Sequence, residues 1–235
     1  MFNKTIVSPS ILSADFMTLG AEISALEESG ADWIHFDVMD GHFVPNLSIG
    51  VPVLKQLRAA TKLPIDVHLM ISNPLEELPW FLDCSPDFVT VHYEALGEKQ
   101  EIDEALEIVD AIHAAGAKAG VALKPDTPTG VLDESLKLWD MILVMSVFPG
   151  FSGQSYIPES AERVREVAEA ARIAGLNPLI QVDGGIGPDT APLVAAFGAD
   201  VLVAGNAVLK AENYAQAISE IRERADNAHS SKEAC

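Results

Sequence analysis

Eight short, β-rich apolar runs recur along the whole chain with helix-like stretches between them, and this recurrence constrains the fold more than any other feature. The runs are Ile6 to Leu12, Trp33 to Met39, Ile65 to Met70, Phe88 to His92, Lys118 to Leu123, Met141 to Val147, Leu179 to Asp183 and Asp200 to Ala204. Their starts are about 28 residues apart, the length of one strand, one helix and two short loops, so each crossover can return to a parallel neighbour. Glu22 to Ser29, Glu101 to Ala115 and Glu159 to Ala174 are rich in Ala, Glu and Leu, and the last two run into Gly116 and Gly175, as helices that stop do. An open doubly wound sheet uses the same units. Eight of them filling 235 residues without a linker favour a closed (β/α)8 TIM barrel over two domains. One barrel domain is expected over residues 1–225, and a polar, frayed C-terminal tail over 226–235.

Composition excludes several function classes. Fifteen Lys and Arg against 35 Asp and Glu give a formal charge of -20, the wrong sign for gripping phosphate backbones or acidic membranes, so neither nucleic acid nor membrane is expected as a partner. A hydrophobic content of 49% is too high for an acidic disordered chain. Two cysteines, Cys84 and Cys235, make no disulfide framework or finger spacing, which fits a cytoplasmic location. Met1 to Thr5 carries no basic leader, and no apolar run reaches the roughly 18 residues of a membrane span.

Within the strands, the period of two separates chemistry from packing. Ile34, Phe36 and Val38 share one face while His35, Asp37 and Met39 share the other. The third run repeats this, with Ile65, Val67 and Leu69 opposite Asp66, His68 and Met70, and in the seventh Ile180 and Val182 oppose Gln181 and Asp183. A parallel strand covered on both faces should be apolar throughout. Polar residues on the inner face, toward the strands' C-terminal ends, instead mark the end of a barrel where active sites lie.

His35, Asp37, His68 and Asp183 therefore converge from three strands. They could form a self-paired polar network, but burying two carboxylates is costly, and two imidazoles with two carboxylates suit one divalent transition metal. Asp66 and His92 share the inward parity and stand behind these ligands or serve structure alone. With no basic patch to hold an anion, backbone must serve: Gly184-Gly185-Ile186-Gly187 and Gly205-Asn206 follow strands seven and eight, the usual barrel phosphate site. The order is not that of a dinucleotide fingerprint. Gly150-Phe151-Ser152-Gly153 after strand six reads either as a surface loop or as a lid that closes over substrate. Met39, Met70 and Met145 near strand ends read as pocket wall.

Six motifs, Ser8 to Phe16, His35 to Asn46, Asp66 to Met70, Val144 to Phe151, Gln181 to Ile186 and Val203 to Ala207, together resemble the ribulose-phosphate 3-epimerase family over essentially the whole chain. The resemblance implies a barrel of the ribulose-phosphate-binding type that interconverts D-ribulose 5-phosphate and D-xylulose 5-phosphate. It implies His35, Asp37, His68 and Asp183 as ligands of one divalent cation (zinc, ferrous iron, manganese or cobalt), and Asp37 and Asp183 as the acid/base pair. Ser10 and His68 would contact substrate, Gly184, Gly185, Gly205 and Asn206 would hold phosphate, and Gly150, Phe151, Ser152 and Gly153 would form the lid. The family's habits suggest a homo-oligomer. This chain departs from the usual pattern at Lys124, where many members have Asn, at Ser152, where the lid usually has Gly, and at Asn206, where Ser is more usual.

The chemistry is consistent with these roles. Inverting a carbon beside a carbonyl needs one group to take its proton and another to return one on the opposite face, through a cis-enediolate. A free Asp is a weak base for such a carbon, so a Lewis acid on the substrate oxygens is expected to carry much of the barrier. Alternatives are a 3-epimerase of a hexulose 6-phosphate such as D-allulose 6-phosphate, a Schiff-base aldolase using Lys124, and a non-catalytic phosphosugar-binding barrel. A related phosphosugar decarboxylase would carry Asp-x-Lys-x-x-Asp on strand three, where His68 stands instead of Lys.

Overall fold

A computed structural model describes residues 4–97 and 102–233. The leading Met1 to Asn3, Glu101 at the expected helix start, and the last two residues of the expected tail lie outside the described residues. Eight parallel strands form one sheet: β1 (Ile6–Pro9), β2 (Ile34–Met39), β3 (Ile65–Met70), β4 (Phe88–His92), β5 (Lys118–Leu123), β6 (Met141–Met145), β7 (Leu179–Asp183) and β8 (Val201–Ala204). From β2 to β8 each strand pairs with its sequence neighbour, and β1 pairs with β8. The remaining gap is bridged between Ser10 and His35 and by Asp32 N donating to Val7 O at 3.1 Å, which brings β1 to β2 and completes a (β/α)8 barrel.

Two strands end earlier than their apolar runs. Pro9 has no N–H to continue the ladder, and the Ser10 hydroxyl accepts the Leu12 amide at 3.3 Å, so Ile11–Ser13 turns into a short 3-10 helix. Likewise β6 stops at Met145, two residues short of Val147. The crossover helices are α1 (Leu19–Glu28), α2 (Val51–Ala60), α3 (Pro74–Leu82), α4 (Ile102–Ala114), α5 (Ser160–Ile173) and α6 (Ala191–Ala195), and α7 (Asn206–Leu209) and α8 (Tyr214–Glu233) follow the last strand. Between β5 and β6, where Pro125, Pro128 and Gly130 break the helical pattern, two 3-10 turns replace a helix.

The frayed tail is corrected in the described part, because α8 continues to Glu233. Ala225 is fully buried, and the Asp226 carboxylate accepts the Thr5 amide at 2.8 Å, anchoring the last turns to the foot of β1. No helix among the described residues is long and apolar enough to cross a membrane.

The outer faces of the strands carry the main core, where Phe36, Val38, Val67, Leu69 and Val182 pack against the helices. The interior is layered. Ile6, Trp33, Met141 and Val201 close the floor, and above them β5 and β6 contribute an apolar wall of Ala122, Leu143 and Met145. Ser8, His35, Asp66, Thr90 and Gln181, all fully buried, make the opposite part polar. Gly120 is required in that wall, since a Cβ there would collide with the Thr90 hydroxyl.

Candidate metal and sugar-phosphate site

Strand register builds the site. His35 is level with Asp66, and Asp37 with His68, so β2 and β3 present two His/Asp pairs one above the other, while Asp183 ends β7 across the barrel mouth. Ligand atoms of His35, Asp37, His68 and Asp183 all lie within 4.8 Å of one another. Asp37 Oδ1 is 3.2 Å from His35 Nε2 and 3.1 Å from His68 Nδ1, and Asp183 Oδ2 lies 4.0 and 3.9 Å from the same two nitrogens.

Surrounding groups hold these four in place. Ser10 Oγ donates to Asp37 Oδ2 at 2.6 Å. His35 Nδ1 donates to Asp66 Oδ2 at 2.7 Å, and Gln181 Nε2 donates to the same oxygen. A carboxylate only accepts, so this bond fixes the His35 proton on Nδ1 and turns the Nε2 lone pair toward Asp37 and Asp183. His35 Nε2 is buried and has no hydrogen-bond partner. Acceptors facing acceptors in a buried space need positive charge between them, supplied either by extra protons on the imidazoles or by a cation. The donor set fits a divalent transition metal.

The two aspartates are driven apart electrostatically. Burial opposes the Asp37 carboxylate, but His35 and then His68 outweigh it and hold its pKa well below the usual carboxylate range. Burial, followed by the nearby Asp37 charge, pushes Asp183 up to about 6. For His35, burial lowers the pKa, while Asp37 and Asp66 more than offset this and raise it well above the ordinary histidine value.

Above the cluster lies a cavity of about 270 Å³. Ser10, Asp37, Asp183, all of Gly150 to Gly153, and Gly184, Gly185, Gly205 and Asn206 line it, and Met39, Met70 and Met145 contribute its apolar wall. Among the described residues, no lysine or arginine lines it. His35 and His68 are fully buried beneath and do not line the cavity. The glycines at one end are there because side chains do not fit: Gly185 has φ of 62°, and a Cβ would come within 2.5 Å of Tyr156 N. Ser146 Oγ donates to Gly184 O at 2.6 Å and steadies this turn.

The 148–154 segment lies over the cavity, tied down by Asn46 Nδ2 donating to Gly150 O at 2.8 Å and by Ser13 Oγ and Ser152 Oγ in contact at 2.6 Å. Gln154 Nε2 closes the loop on itself through Phe148 O and Phe151 O. Asn46 and Ser13 are contributors that the strand pattern does not reveal; Asn46 lies in a loop and Ser13 in the 3-10 turn after β1, where the period of two carries no facing information. Lys124 does not line the cavity, since its ammonium sits 3.8 Å over the Phe43 ring.

Beyond geometry, residues 6–209 match the model of the ribulose-phosphate 3 epimerase family. The chain is 46% identical over 223 residues to the chloroplastic ribulose-5-phosphate-3-epimerase of Arabidopsis thaliana, covering 94% of this chain and 78% of that protein. It is 46% identical over 217 residues to the ribulose-phosphate 3-epimerase of Bacillus subtilis, covering 92% and 97%. Among solved structures, 3-keto-L-gulonate-6-phosphate decarboxylase from Vibrio cholerae superposes with a TM-score of 0.72 at 13% identity, covering 95% of this chain and 98% of that one, a likeness of fold alone. With a match that runs from the first strand to the short helix after the eighth, the chain belongs to the ribulose-phosphate 3-epimerase family.

Proposed function

We propose that this chain interconverts D-ribulose 5-phosphate and D-xylulose 5-phosphate by moving protons at C3, with Asp37 and Asp183 as the two acid/base groups. The observation that carries this reading is the convergence of Asp37 and Asp183, from β2 and β7, beside two imidazoles at the floor of one cavity. An ionised carboxylate can take the C3 proton from one face while the protonated partner supplies one to the other, and the roles exchange with direction. His35, His68 and both aspartates would hold one divalent cation, zinc, ferrous iron, manganese or cobalt, whose charge stabilises the negative charge that develops on the substrate's C2 and C3 oxygens.

The phosphate is assigned to Gly184, Gly185, Gly205 and Asn206, the glycine-rich end of the cavity, where backbone amides and the Asn206 side-chain amide offer donors. Ser10 orients Asp37, and the loop from Gly150 to Gly153 covers the site and excludes water. The same reading has the chain working as a single barrel in the cytoplasm, as a homo-oligomer, on a free sugar phosphate. Incubating metal-replete protein with D-ribulose 5-phosphate in deuterium oxide tests it: C3 should acquire deuterium as xylulose 5-phosphate appears. Absence of both exchange and product would defeat the assignment.

A further inference from the structure

His68 is buried with no contact to solvent, yet its far nitrogen is not idle. His68 Nε2 lies 2.9 Å from His92 Nε2, His92 Nδ1 lies 3.0 Å from Glu94 Oε2, and Glu94 Oε1 accepts the Lys124 amide at 2.7 Å and the Thr127 hydroxyl. Glu94 sits in the 3-10 turn Tyr93–Ala95 directly after β4, and both histidines are fully buried.

We infer that Glu94 is a positioning residue that sets the tautomer of His68 through His92, so that His68 presents a bare Nδ1 to the metal site. Each step follows from hydrogen-bond inventory. Two ring nitrogens 2.9 Å apart share one proton, so one of them must be bare. Glu94 only accepts, so His92 carries its proton on Nδ1 and leaves Nε2 bare. His68 must then donate from Nε2, and Nδ1, 3.1 Å from Asp37 Oδ1 and 3.9 Å from Asp183 Oδ2, keeps its lone pair for the cation proposed between them. The chain of bonds parallels the His35 to Asp66 contact but is one residue longer, so each ligating imidazole is fixed from behind by a carboxylate.

The relay has a polarity that one substitution reverses. In Glu94→Gln the amide oxygen stays with the Lys124 N–H, which can only donate, and the NH2 then faces His92 Nδ1. His92 would accept there, carry its proton on Nε2 and donate to His68, which forces a proton onto His68 Nδ1 toward the metal position. The inference rests on His68 being a metal ligand, as proposed above, and the test separates the two.

Zinc affinity is measured by chelator competition on wild-type and Glu94→Gln protein, each alone and in a His92→Phe background, together with 15N spectra of histidine-labelled, zinc-loaded protein. Expected are a loss of about 10- to 100-fold in zinc affinity for Glu94→Gln, a His92 protonated on Nδ1 in the wild type, and no further loss when Glu94→Gln is added to His92→Phe. Equal zinc affinity in wild type and Glu94→Gln, or the same Glu94→Gln loss with and without His92, overturns the relay and leaves the metal site standing. Absence of zinc binding in the wild type overturns both. Should Glu94→Gln not fold, the wild-type spectrum decides alone: a proton on His92 Nε2 sinks the inference.

Discussion

Asp66 stands level with His35 across β2 and β3 and accepts its Nδ1 proton at 2.7 Å, below the aspartates that face the cavity. Asp66 touches no cavity space, yet it determines which nitrogen of His35 faces the metal position. Asp66→Asn keeps the shape but removes the charge that draws that proton and leaves an amide where Gln181 also donates. Zinc affinity should fall by about 10- to 100-fold, as removal of an outer partner of a metal-ligating histidine usually does. Chelator competition reads this, and wild-type affinity in the variant would reduce Asp66 to packing.

Asp37→Asn and Asp183→Asn each remove one of the two proposed proton carriers. General acid/base groups contribute roughly 10²- to 10⁴-fold to rate, so kcat for epimerisation should drop within that range in either variant. Each should retain the barrel's circular dichroism, because the strand ladders and the helix-facing core do not involve these side chains. A variant keeping a tenth of wild-type kcat would contradict the two-group assignment.

The contact between Ser13 and Ser152 joins the turn after β1 to the cover over the cavity. Ser152 stands where the family resemblance leads one to expect Gly, which has no hydroxyl to make this tie. A neutral hydrogen bond contributes about 0.5–1.5 kcal/mol, equivalent to a 2- to 10-fold shift between closed and open cover. Ser152→Gly should raise amide hydrogen exchange at residues 150–153 by that factor, with Asn46 still holding Gly150. Unchanged exchange would show that Asn46 and Gln154 hold the loop without it.

The period of two made the barrel and the inward direction of four clustered His and Asp side chains legible, because a residue's parity on a covered strand decides which side it faces. His35, Asp37, His68 and Asp183 were readable for that reason, and so was the inward direction of Asp66 and His92. What parity cannot show is whom a buried side chain meets across the barrel: Gln181 reaches Asp66 from β7, and Glu94 lies in a turn past the end of β4. Ser13, in the 3-10 turn after β1, and Asn46, in a loop, lie outside the strands, where the period of two sets no facing. The terminal stretch misled for a related reason, since its polar residues suggest solvent while Ala225 and Asp226 form the contacts that hold it.

Asp40 supplies a pH-dependent prediction outside the metal cluster. Its Oδ1 accepts the His42 and Phe43 amides at 2.7 and 2.8 Å, and its Oδ2 accepts the Ser72 amide and hydroxyl at 2.8 and 2.7 Å. The carboxylate thus joins the loop after β2, which carries Asn46 and its hold on the cover, to the start of the loop after β3. Burial alone would raise its pKa, but the bonds from Ser72, His42 and Phe43 prevail and bring it down to about 2. A folded pKa below the unfolded one means that the folded state favours the charged form, so the stabilisation is complete above the ordinary value of 3.8 and is lost as pH falls toward 2. Asp40→Asn should therefore unfold at lower temperature than wild type at pH 6, by a margin corresponding to about 1 kcal/mol, the usual worth of a carboxylate capping backbone amides. That margin should shrink between pH 4 and pH 2, where wild-type Asp40 becomes a neutral acid and the two side chains grow alike. Thermal unfolding of both proteins across this range measures the difference directly, and a margin that stays constant with pH would show that the loop is held by shape and not by the Asp40 charge.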